Sequence, residues 1–119
     1  MTVDWYKCKG DIWCELFKVD VQSPLLKHIS GVYILWTGSM QNMSVIKVGY
    51  GILVPEITLS KQDIAIAAFA SHGVYITWSK IPAISQKSIC NYLIHKLKPK
   101  IYKFIPAADR IDVNLPWSI

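Results

Sequence analysis

Seven basic side chains stand in the last forty residues, Lys80 to Ile119, against only Asp109 and Asp112. The first 79 residues are balanced, six lysines against six acids, so the whole net charge of +5 lies in the final third. Clustered cations of this kind can neutralise phosphates and release counterions, which drives nucleic-acid binding without regard to sequence. Such a surface also serves plain solubility, and with twelve lysines to one arginine the chain is poor in the better specific reader of phosphate geometry. Two of these, Lys87 and Lys98, fall with Asn91 and His95 at i, i+4, i+8 and i+11, one face of a helix, and Lys100 and Lys103 extend the basic run beyond it. His72 and His95 read as surface residues.

Thiols are the other reactive groups. Cys8, Cys14 and Cys90 are odd in number and lack C-x-x-C spacing, which argues against a disulfide framework and against a zinc knuckle. A reducing compartment, the cytoplasm, is the expected setting. The N-terminus shows neither a basic segment nor an apolar core of a secretory signal. The longest apolar stretches fall far short of the roughly 20 residues that cross a bilayer, so no membrane partner is expected.

The elements that must position these groups belong to one domain, residues 1 to 119. With 52% hydrophobic and 18% charged residues, the chain is apolar enough for a packed core. Residues 5 to 20 alternate aromatic and polar groups around Gly10 and read as a hairpin or as a strand with a short helix. Ser23-Pro24 marks a break. Val32 to Trp36 and Val45 to Val48 are apolar strands of one hairpin, in a sheet covered on both faces. Pro55 and the Ser60 to Asp63 cluster suggest a loop ending in a helix cap, followed by a short buried helix from Ile64 to Ala70. Val74 to Trp78 is a third strand. Ser85 to Lys98 is the best helix, with Ile89, Leu93 and Leu97 at four-residue intervals and Pro99 ending it. The segment from Ile111 to Trp117 should be extended and return its apolar residues to the core. The expected class is a small α/β or α+β domain, with a central mixed sheet of about three strands flanked by helices.

Gly31-Val32-Tyr33, then Lys47-Val48-Gly49-Tyr50-Gly51, then the helix at Cys90-Asn91-Tyr92-Leu93-Ile94 leading to Leu97-Lys98-Pro99, form an ordered set. In order and spacing they resemble the GIY-YIG nuclease superfamily, and within it a compact branch ending in Asn-Leu-Pro-Trp, here Asn114 to Trp117. The resemblance covers about residues 31 to 117, leaving 1 to 30 as an N-terminal extension.

It implies hydrolysis of a DNA phosphodiester with one divalent cation, two tyrosines that position water, an arginine that stabilises phosphate charge and a glutamate that holds the metal. Tyr33 matches the first tyrosine, with a core aromatic as its alternative. The second falls on Lys47, which would lend positive charge or act as a base, and which reads equally as a solvated strand residue. The arginine should lie a few residues after Gly51, yet Ile52 to Ala70 contains none, and the nearest candidates are Glu56 and Lys61. The glutamate falls on Cys90, a soft ligand unsuited to Mg²⁺ and otherwise a small buried hydrophobe. The asparagine sometimes found after Leu-x-Pro is Tyr102, and Asn114 is the alternative for its space.

The expected function is therefore an endonuclease-like domain, catalytically impaired, that binds DNA through its basic third and carries no cofactor. One alternative is an active Mg²⁺-dependent nuclease with Glu56 or Asp63 as metal ligand and Lys61 in place of the arginine. The other is an interaction module whose five Trp and six Tyr anchor a protein partner or a second copy.

Overall fold

Strand β2, Ser30–Thr37, and strand β3, Ser44–Ile52, pair antiparallel in a register that sets Gly31 opposite Gly51 and Tyr33 opposite Gly49. The short sequence motifs are thus cross-strand neighbours. The computed structural model describes residues 1–38, 42–101 and 108–117. Strand β4, Val74–Lys80, lies antiparallel along the other side of β2, and a two-residue strand β1, Cys14–Glu15, pairs with β4. Sheet order is β1-β4-β2-β3, all antiparallel. The α+β class is as expected, but among the described residues the sheet has four strands, no parallel pair and no βαβ crossover, since β2 is flanked on both sides by antiparallel neighbours.

Side chains alternate across β2, and each set finds its own core. Val32, Ile34 and Trp36 pack with Ile89, Cys90 and Leu93 of helix α3, Ala83–Leu97. Tyr33 and Leu35 pack with Ile46, Ile76 and the buried Leu53 and Ile57 of helix α1, Leu53–Gln62. Every one of these side chains excludes nearly all solvent, at about 1.5–3 kcal/mol for a large apolar group. Helix α3 is fixed against the sheet by the buried Gln86 amide, which donates to Ser30 Oγ at 2.7 Å and to the Ile81 carbonyl at 2.8 Å. It ends at Lys98, whose left-handed backbone (φ 50°) lets its N–H bond the Ile94 carbonyl just before Pro99.

Several expectations need correction. Residues 53–62 are helical rather than a loop, because Pro55 falls in the first turn, where its missing N–H has no intrahelical partner to lose. The following helix α2 is only Ile64–Ala67 and is mostly exposed, with Ile66 alone buried and Asp63 capping it through the Ala65 N–H at 2.8 Å. Cys8 and Cys14 form a disulfide, Cα–Cα 5.2 Å, across the tight turn at Gly10 and Asp11. An odd count leaves one thiol over, and here it is Cys90, which is buried.

The first thirty residues are built into the fold rather than appended to it: Val3, Cys14, Leu16 and Leu26 are core residues. They meet the C-terminal segment through Asn114. Its Oδ1 accepts from the Val3 N–H at 2.7 Å, its Nδ2 donates to the Val3 carbonyl at 3.0 Å, and its own carbonyl accepts from Trp5 Nε1 at 2.8 Å. Beside it Val113 and Trp117 return to the core, with Trp117 edge-on to Trp36. Replacing Asn114 with alanine removes both amide bonds and leaves Val3 N–H and C=O part-buried without them. The expected loss is about 1–2 kcal/mol, seen as a lower urea midpoint at an unchanged slope; an unchanged midpoint would mean that the latch contributes nothing.

Candidate functional site

Tyr33 is the centre of the one place where the motif residues converge. Its ring is fully buried and lies flat across Gly49, where a β-carbon would overlap the phenol. The hydroxyl donates to Glu56 Oε1 at 2.8 Å, and the Lys47 ammonium sits over the ring, 5.6 Å from its centroid. Helix α1 starts directly after β3, and this connection brings Glu56 to the end of the tyrosine. Leu35 and Lys47 are register partners, so Lys47 projects from the same sheet face as Tyr33. Ser60, one turn beyond Glu56, is also buried, and its hydroxyl has no hydrogen-bond partner among the described residues.

Burial first, and then the Glu56 carboxylate beside it, push the Tyr33 phenol well above its ordinary range. It is held as a neutral donor. Cys90, on α3 in the opposite core cluster, is likewise pushed up to about 12 by burial and then by Glu56. A thiol so placed stays protonated at neutral pH and is a poor nucleophile.

These positions answer poorly to the demands of a hydrolytic metal centre. Mg²⁺ prefers several hard oxygens, but Glu56, the only carboxylate at Tyr33 among the described residues, accepts the hydroxyl's hydrogen bond, and the expected glutamate position carries a thiol. Asp63 is engaged in capping α2, and Lys61 Nζ donates to the Val19 carbonyl, so neither joins Glu56. Among the described residues no three His, Cys, Asp or Glu side chains form a group able to hold a metal ion. The residues present do not fit Mg²⁺. Asn114 lies at the junction of the chain ends, bonded to Val3, and does not reach toward Tyr33 through any of its bonds.

The chain was compared with protein-family models, curated proteins and solved structures. Nothing matches it.

Away from Tyr33, Lys87, His95, Lys98 and Lys100 are all exposed on α3 or just past its end, whereas Lys103 and Tyr102 lie outside the described residues. The C-terminal segment crosses α3 between them: the Asn91 amide donates to the Ala108 carbonyl at 2.9 Å, and the Ile111 N–H to the Ser88 carbonyl at 3.2 Å. The Lys87-Asn91-His95 stripe is therefore interrupted at its middle. In exchange the same crossing brings the exposed Arg110 alongside the Lys87 end of the helix. Nothing in the local sequence signals this crossing, because both contacts join α3 to a segment some twenty residues downstream.

Among the described residues, no helix is long and apolar enough to cross a membrane.

Proposed function

We propose that this chain is a GIY-YIG-like domain that binds nucleic acid and does not cleave it. The observation that carries this reading is the split between its two sets of residues. The motif tyrosine is fully buried and its hydroxyl donates a hydrogen bond to Glu56 at 2.8 Å, while the cations Lys87, Lys98, Lys100 and Arg110 are exposed. A buried, protonated phenol cannot position water on a phosphate, and losing one transition-state stabiliser costs about 10²–10³ in rate. Exposed cations keep their attraction for a phosphate backbone. The cysteine count alone points to the cytoplasm; the Cys8–Cys14 pairing favours a less reducing compartment, since disulfides are rare in cytoplasmic proteins.

Fluorescence anisotropy with a random-sequence duplex tests the binding. Affinity should fall linearly with salt on logarithmic axes, and the triple variant Lys87→Glu, Lys98→Glu, Lys100→Glu should bind at least about tenfold more weakly, with a shallower slope. Salt-independent affinity, or no binding at low salt, would sink the proposal. A plasmid-nicking assay with Mg²⁺ or Mn²⁺ should show no cleavage. Metal-dependent nicking that disappears in Glu56→Gln would instead favour an active site built on Glu56.

A further inference from the structure

A second site is laid out by strand register on the sheet face that carries α3. Glu15 of β1 pairs with Tyr75 of β4, and Tyr75 pairs with Trp36 of β2, so a carboxylate, a phenol and an indole form one row across three strands. Paired residues share a sheet face, and Trp13, two residues before Glu15, belongs to the same face. The result is a cleft of about 540 Å³ lined by Trp13, Trp36 and Tyr75, with Asp11, Ile12 and Glu15 at its sides. That volume lies within the roughly 300–1,000 Å³ of small-molecule sites.

Its walls have a definite chemistry. The Trp13 and Trp36 rings meet at 85° with centroids 5.4 Å apart, and Tyr75 stacks on Trp36 at 5.8 Å and 29°. Trp36 is only 2% exposed and forms the floor. The three rings pack on one another, so the aromatic surface open to a ligand is that of the half-buried Trp13 and Tyr75 above Trp36; such surface carries negative potential and, with carboxylates at the rim, attracts a soft, bulky cation that sheds its water readily. The chain already demonstrates that attraction at one wall: Lys7 Nζ sits over the Trp13 ring, 4.6 Å from its centroid. The two carboxylates have exposed lysine partners, Lys7 to Asp11 at 3.6 Å and Lys18 to Glu15 at 3.0 Å. Such exposed pairs are weak and yield to a better-placed cation.

We infer that this cleft binds a quaternary ammonium group. Small quaternary cations suit it better than a primary ammonium, because their methyl groups make van der Waals contact with the rings while their charge meets Asp11 and Glu15. The Cys8–Cys14 disulfide closes the turn that carries Asp11, Ile12 and Trp13, so one wall is held in place before any ligand arrives. None of these residues takes part in the site around Tyr33 or in the basic surface.

Titration of the whole chain with tetramethylammonium chloride, choline and trimethyl-lysine, followed by the indole N–H resonances, tests the site. Saturable shifts at Trp13 and Trp36 are expected, with choline bound at least about fivefold more tightly than its uncharged carbon isostere. The tighter of choline and trimethyl-lysine identifies the natural source of the group. Trp13→Leu should abolish the shifts at Trp36, and Glu15→Gln, at an exposed position that leaves the fold intact, should weaken binding about twofold to fivefold. Equal binding of the isostere, no saturable shift at either indole, or wild-type affinity in both variants would overturn the proposal.

Discussion

Replacing Gly49 with alanine is expected to destabilise the fold by about 3 kcal/mol, the upper range for overpacking a core. The new β-carbon would overlap Oη, Cζ and Cε1 of Tyr33, a rigid ring with no free end to swing aside. To admit it, Tyr33 must leave a site where it is fully buried and must release Glu56, which then loses a 2.8 Å hydrogen bond. Urea unfolding measures the loss, and a double-mutant cycle with Tyr33→Leu tests its cause. If the ring is responsible, the alanine should cost far less once the ring is gone, with a coupling of about 1–3 kcal/mol. Additive effects would show that the penalty comes from the strand backbone instead.

The second large effect is alkaline. The Cys90 thiol ionises near its ordinary 9.0 in the unfolded chain but is pushed up to about 12 in the fold by burial and then by Glu56. Between those values the folded protein keeps a proton that the unfolded chain has released. Its contribution is therefore complete below about pH 9 and is lost as pH rises toward 12, at about 1.4 kcal/mol per pH unit. Tyr33, raised for the same reasons, adds to the decline above its ordinary 10.0. Denaturant midpoints of the wild type and Cys90→Ala should converge as pH rises from 9 to 12. Parallel curves would mean that the thiol does not titrate in this window.

The strands and α3 were legible because each carries its own pattern. Val32 to Trp36 is β-branched and aromatic apart from Leu35, and Ile89/Cys90 and Leu93/Ile94 repeat as adjacent apolar pairs four residues apart, which a helix gathers on one face and a strand would split between two. Helix α1 was hidden by the residues that suit its position: Pro55 reads as a break and is in fact a first-turn residue, while Thr58 and Ser60 dilute the apolar stripe. Strand β1 is two residues long and exists only because β4 offers it an edge. Of the Tyr33 site, the sequence supplied Tyr33, Lys47 and Glu56 as names, and the register Tyr33 to Gly49 follows from pairing the two motifs. It held no sign that the tyrosine would face Glu56 across 23 residues of chain rather than solvent. The aromatic cleft was invisible for the same reason, since Trp13, Trp36 and Tyr75 become neighbours only when three strands align.

The segments that flank this sheet also decide how it meets other copies of itself. An open strand edge is a template for intermolecular pairing. On one side, the Val45 and Ile46 carbonyls of β3 accept the N–H groups of Lys100 and Ile101 at 3.1 and 2.8 Å. On the other, β4 is covered by Cys14 and Glu15 and by the Tyr6 N–H, which donates to the Trp78 carbonyl at 2.9 Å. Both covers are a few residues long and would fray easily by themselves. The Cys8–Cys14 bond staples the two pieces that lie on β4 to each other, so a thiol reductant does more than open a small ring: it loosens the guard on an apolar strand and favours association through that edge.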